Sequence, residues 1–137
     1  MVVGVVAACS SGSLPAGPMA RDQGCTTAMA AMPSALLGKP RGTTSTEGMA
    51  VYGDPQIVVR CGMSPLGPTQ LRCLSVNDVD WVVDDRGDPL LFTTFGRTPA
   101  IEVRIPASYP KSGDPGALVQ LQKAALALPK TSLHCIG

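Results

Sequence analysis

Charge, aromatic rings and histidine are all scarce in this chain. Charged residues make up 15% of it and aromatic residues 4%, and histidine occurs once, as His134. The 11 Lys and Arg against 10 Asp and Glu leave a formal charge of +1. That balance provides no electrostatic footprint for nucleic acid. So few rings provide no platform on which bases could stack. No run of about 18 apolar residues occurs, so no membrane-spanning helix is expected. A single histidine rules out the H-E-x-x-H zinc motif, and no G-x-S-x-G turn is there to carry a serine nucleophile. No two cysteines are spaced as C-x-x-C, which removes the paired zinc ligands and the thioredoxin-type redox site. No metal and no cofactor is expected.

What is there is small and rich in turns. The 137 residues suit one domain. An apolar share of 45% is enough for a packed core, and 15 glycines with 13 prolines mark frequent changes of direction. Near the start, Val6-Ala7-Ala8-Cys9 has the form of a bacterial lipobox: an aliphatic residue, two small ones and the cysteine that takes the acyl chains. Ser10 to Pro18 then reads as a flexible Ser/Gly/Pro tether. The leader before Cys9 is short and has no basic residue, so either the natural start lies upstream of Met1 or the leader does not work. The organisation expected is a truncated signal with lipobox and tether over 1–23, and a single α+β domain over 24–137.

Five cysteines are present. With Cys9 acylated, Cys25, Cys61, Cys73 and Cys135 remain, an even set that reads as disulfides in an oxidising compartment. Cys61 and Cys73 flank one loop between sequential strands, which favours Cys61–Cys73 and leaves Cys25–Cys135.

A helix is expected from Cys25 to Leu37, interrupted by Pro33 and stopped by Gly38. Strands follow at Ile57 to Cys61, at Val79 to Asp84, at Leu90 to Phe95 and at Ile101 to Ile105. In the second, Val79, Trp81 and Val83 alternate with Asp80, Val82 and Asp84. In the last, Ile101, Val103 and Ile105 alternate with Glu102 and Arg104. Asp85 to Pro89 and Gly96 to Pro99 are turns. A second helix runs from Pro115 to Leu128, capped by Asp114, with Leu118, Leu121, Ala125 and Leu128 on one stripe. The fold expected is α+β: a four-stranded antiparallel sheet with an N-terminal and a C-terminal helix on one face, stapled by disulfides. Trp81 is expected in its core.

Several stretches together resemble an actinobacterial family of predicted lipoproteins, domain of unknown function 3515. They are Cys25 to Gly38; Tyr52-Gly53-Asp54-Pro55-Gln56-Ile57-Val58-Val59-Arg60-Cys61-Gly62; Cys73 with Val79-Asp80-Trp81; and Phe92 to Val103, the most specific of them. The resemblance implies an extracytoplasmic small domain, lipid-anchored to the cell membrane or secreted. It implies no activity.

Candidate chemistry is sparse. His134 beside Cys135 reads as a surface histidine next to a half-cystine, because adjacent residues rarely face each other as a nucleophile and its base must. Asn77 and the acidic Asp78, Asp80, Asp84, Asp85 and Asp88 form an acidic cluster close in sequence, but they lack the spacing of a calcium loop. Arg86-Gly87-Asp88 falls at a predicted turn, where Gly and Asp have conformational reasons to be. The best candidate for ligand binding is Arg97, presented by the turn Phe95 to Pro99 to a carboxylate, a phosphate or an envelope polymer. Glu102, with Asp80 and Arg104, forms the rim. If Arg97 projects this way, Arg97→Ala leaves the fold intact. The function expected is a non-catalytic cell-envelope module that binds an envelope protein or glycan, meets the membrane only through its lipid, and does not bind nucleic acid. The alternative is a small extracytoplasmic hydrolase with an unrecognised site.

Overall fold

A computed structural model describes residues 14–136; Cys9 and the lipobox lie outside the described residues. Helix α1 (Gln23–Ala30) is followed by β1 (Ala35–Leu36), β2 (Lys39–Pro40), β3 (Met49–Tyr52), β4 (Ile57–Met63), β5 (Arg72–Val76), β6 (Val79–Asp84), β7 (Leu90–Phe95) and β8 (Ala100–Ile105). Two short helices close the chain, α2 (Gly116–Gln120) and α3 (Gln122–Leu126). β1 and β2 form a small ribbon, and the other six strands form one sheet in the order β3-β4-β8-β7-β6-β5. Every pairing in that sheet is antiparallel.

The four expected strands are present as β4, β6, β7 and β8, but the sheet has six strands, not four. β3 is buried along its whole length, and a strand covered on both faces shows no alternation of apolar and polar residues. β5 is a half-exposed edge strand joined to β6 by Asn77-Asp78. Those two residues have φ of 48° and 68°, the left-handed pair that a tight primed hairpin turn requires and that Asn and Asp tolerate.

Alternation decides which sheet face is covered. Ile57, Val59 and Cys61 of β4, Val79, Trp81 and Val83 of β6, Phe92 of β7 and Ile101, Val103 and Ile105 of β8 all turn into one core. Cys25 and Ala28 of α1 meet them there, with Leu118, Leu121, Ala124, Ala125 and Leu128 from the C-terminal helices. Helices from both ends of the chain therefore pack on one face, as the pattern implied. Their lengths differ from expectation. α1 stops at Ala30, and Leu37 and Gly38, with φ of 50° and 78°, turn the chain between β1 and β2. The expected Pro115–Leu128 helix divides at Leu121, although its stripe of Leu118, Leu121, Ala125 and Leu128 is buried throughout. The Asp114 carboxylate accepts the Gly116 N–H over 2.8 Å at its start.

The disulfides are Cys25–Cys61 and Cys73–Cys135, each with Cα atoms 5.6 Å apart. This corrects the pairing Cys61–Cys73 and Cys25–Cys135. β4 and β5 are neighbours in sequence, but β8, β7 and β6 lie between them in the sheet. Cys61 points into the helix-covered core, whereas Cys73 sits opposite Val82 on the other face. No closed loop can bring those two sulfurs together.

Among the described residues that other face carries no helix. Both ends of the chain cross it instead. The end of the expected tether is docked: Arg60 Nη1 donates to the Pro15 carbonyl over 3.1 Å, and the Met19 N–H donates to the Gly62 carbonyl over 2.7 Å. At the opposite end, residues 129–135 form a strap along the turn after β7. Thr98 N–H donates to Pro129 O over 3.1 Å, Thr131 N–H to Gly96 O over 2.8 Å, and Cys135 N–H to Asp80 Oδ2 over 2.7 Å. Gly96, at φ 82°, lies against the Leu133 carbonyl, where any Cβ would collide. No helix among the described residues is long and apolar enough to cross a membrane.

Candidate functional site

The C-terminal strap roofs a cavity of about 590 Å³ whose lining includes Ser75, Asp80, Arg97, Lys130 and His134. The facing edge of β5 and β6, the turn after β7, the end of α3 and the strap supply it. Arg97 thus lies where the sequence suggested a site, but not as a projecting side chain. It is 6% exposed. Its Nη1 donates to Leu128 O over 2.7 Å, and its Nη2 to Asp78 O over 3.4 Å. Burial pulls its guanidinium below the ordinary value, against a smaller opposing pull from the Asp80 charge.

Glu102 is elsewhere. It accepts from Arg60 Nη2 over 2.7 Å and Nε over 3.1 Å, and Arg104 Nη1 stands 3.5 Å away. This mostly buried fork-shaped contact lies at the middle of the open sheet face, and Glu102 does not line the cavity under the strap. Arg97 and Glu102 are therefore not brought to one site. Asp80, expected on the rim, does reach the cavity.

Ser75, Asp80 and His134 share that lining, yet their hydrogen bonds run in the wrong order for nucleophilic catalysis. Ser75 Oγ donates directly to Asp80 Oδ1 over 2.5 Å, the other Asp80 oxygen holds the Cys135 N–H, and His134 Nδ1 is 3.2 Å from Ser132 O. A serine base must sit between the hydroxyl and the carboxylate. Here the imidazole stands outside that pair.

The acidic run is dispersed into local ties. Asp84 receives Arg86 Nε and Nη2 at 2.9 Å each, which holds its carboxyl down at about 2. Asp88 Oδ1 accepts the Ala107 N–H over 2.9 Å. The Arg and the Asp of Arg86-Gly87-Asp88 are thus both engaged within the chain.

Sequence reasoning missed Ser75, Lys130, Leu126 and Leu133 as neighbours of Arg97. The one available clue was Cys135: a half-cystine at the chain end requires the tail to be fastened somewhere on the domain.

The fold and this cavity define a small disulfide-stapled α+β domain with one sheet face left to the two chain ends. The family model described as protein of unknown function (DUF3515) matches residues 6–132, most of the chain, and the chain belongs to that family. No curated protein matches it significantly. No solved structure does either.

Proposed function

We propose that this chain is a non-catalytic module of the cell envelope. It is extracytoplasmic, lipid-anchored through Cys9 or secreted, and it acts by binding an envelope protein or glycan. The observation that carries this reading is the use of all four remaining cysteines in two disulfides that staple both chain ends to the sheet. Such bonds persist in oxidising compartments and are rare in the cytosol. The hydrogen-bond order around Ser75, Asp80 and His134 favours binding over hydrolysis.

The test has two parts. The full chain from its natural start is expected to enter the detergent phase, and Cys9→Ala to leave it; equal partitioning of the two removes the anchor. Immobilised lipid-free protein is then expected to retain an envelope protein or glycan saturably, in competition with free protein, and to turn over no ester or amide substrate. Turnover abolished by Ser75→Ala would favour the hydrolase instead.

A further inference from the structure

We infer that the cavity under the C-terminal strap binds a singly charged organic anion, a carboxylate or phosphodiester carried on an apolar arm. The inference rests on the binding-module reading above and supplies its ligand class.

Two arginines are equally sunk in this molecule and are treated differently. Arg60 is 8% exposed and has Glu102 at 2.7 Å. Arg97 is 6% exposed, and no carboxylate among the described residues reaches ion-pair distance of it. Its two hydrogen bonds go to main-chain carbonyls, which satisfy only part of a guanidinium with five N–H donors. Buried charges are ordinarily paired, because removing a charge from water without a counter-charge is costly. Asp80, whose charge acts on Arg97, has its two oxygens committed to Ser75 and Cys135. A carboxylate in direct contact, which Arg97 lacks, has a place to sit, since Arg97 lines the cavity.

Lys130 adds a second cation. Its backbone pairs with that of Arg97 in an antiparallel bridge, and the residue lines the same cavity. An Arg fork with a flanking ammonium suits both carboxylate and phosphate oxygens. The single charge follows from Asp78 and Asp80 in the lining: their negative charge opposes a dianion more than a monoanion.

The apolar arm follows from what stands beside the cations. Leu126 and Leu133 are 43% and 37% exposed, two of the few large apolar side chains left open among the described residues, and both flank this cavity. Phe95 and Leu133 also border a second hollow of about 320 Å³, walled by Val82, Leu71 and Ile136. Volumes of this order suit small ligands. An anionic head at Arg97 and Lys130 leaves its arm running along Leu126, or under Leu133 toward the second hollow.

Calorimetric titration of the full chain tests this with four probes. Decanoate supplies charge and arm, dihexanoyl phosphatidylglycerol supplies a phosphodiester and arms, decanol lacks the charge, and acetate lacks the arm. Decanoate or the phospholipid is expected to saturate one site, with decanol and acetate weaker by about tenfold or more. The tighter of the two anions identifies the head group. Lys130→Glu, at an exposed position, is expected to weaken binding by about tenfold while leaving the melting curve unchanged. Arg97→Lys is expected to weaken it less than Arg97→Gln. Failure of both anions to saturate, equal binding of decanol, or indifference to Lys130→Glu overturns the inference. If the immobilised protein still retains an envelope partner, the module reading stands without this site; amphiphile binding with no retained partner gives the converse.

Discussion

Arg97 Nη1 holds the Leu128 carbonyl at 2.7 Å, so the turn leaving β7 fastens the end of the last helix. The bond is charge-assisted and buried, a class that contributes about 1.5–3 kcal/mol. Arg97→Ala is therefore expected to lower stability by about 2 kcal/mol or more in urea unfolding. That reverses the expectation, natural for a Gly-Arg-Thr-Pro turn, that this arginine is a dispensable surface residue. An unchanged unfolding midpoint would show that the Leu128 carbonyl finds another donor at no cost.

The two disulfides span 36 and 62 residues, for which loop-closure entropy gives about 4 kcal/mol each. Non-reducing peptide mapping should recover Cys25 with Cys61 and Cys73 with Cys135. Cys61 is fully buried, while Cys73 and Cys135 are partly exposed. Mild reductant should therefore open Cys73–Cys135 first. Opening of the buried bridge first would contradict this order of access.

Trp81 is fully buried, and its indole N–H has no partner among the described atoms. Trp81→Ala should cost about 3–5 kcal/mol by cavity formation. Trp81→Phe should cost much less, since it removes an unsatisfied buried donor whose burden is itself about 1–3 kcal/mol. The native emission should be blue and poorly quenched. Equal losses for the two variants would mean that the indole nitrogen is satisfied after all.

Asp84 and Arg86 give a pH test. The Asp84 carboxyl is held at about 2, against an ordinary 3.8, chiefly by its hydrogen bond from the Arg86 side chain. A folded value below the unfolded one means that the pair contributes above about 3.8 and loses that contribution as pH falls through about 2. Carbon-detected titration of Asp84 should show this midpoint, and Arg86→Ala should return it toward the ordinary range. An unmoved midpoint would assign the effect to something other than Arg86.

Much of the sheet was legible because its covered face repeats every second residue. Val79, Trp81 and Val83, and Ile101, Val103 and Ile105, needed no structure to be placed in a core. β3 was not legible, because Met49-Ala50-Val51-Tyr52 is buried on both sides and carries no period. The Asn77-Asp78 turn has the residues of a tight hairpin, but β5 before it is half-exposed and carries little apolar alternation to mark a strand. Sequence distance misled most where topology intervenes. Cys61 and Cys73 are near in the chain and far apart in the sheet, since β4 pairs with β8 and β5 with β6. The cavity was legible through Arg97 and Asp80 alone as a site, because its other wall comes from a tail whose position depends on the Cys73–Cys135 bond.

The staples also decide how the domain answers a mechanical pull. Tension applied between the chain ends enters through Cys25, passes to Cys61, follows the backbone to Cys73 and leaves through Cys135. Between the two bridges only the stretch from Cys61 to Cys73 lies on that covalent path, with the segments outside Cys25 and Cys135 in series with it. The strands β6, β7 and β8, the hairpin partner β3 and most of the helical layer are shunted out of it. While both bridges remain oxidised, a tug on the two ends can therefore peel the segment before Cys25 and draw out the 61–73 loop, but it cannot unravel what the bridges enclose.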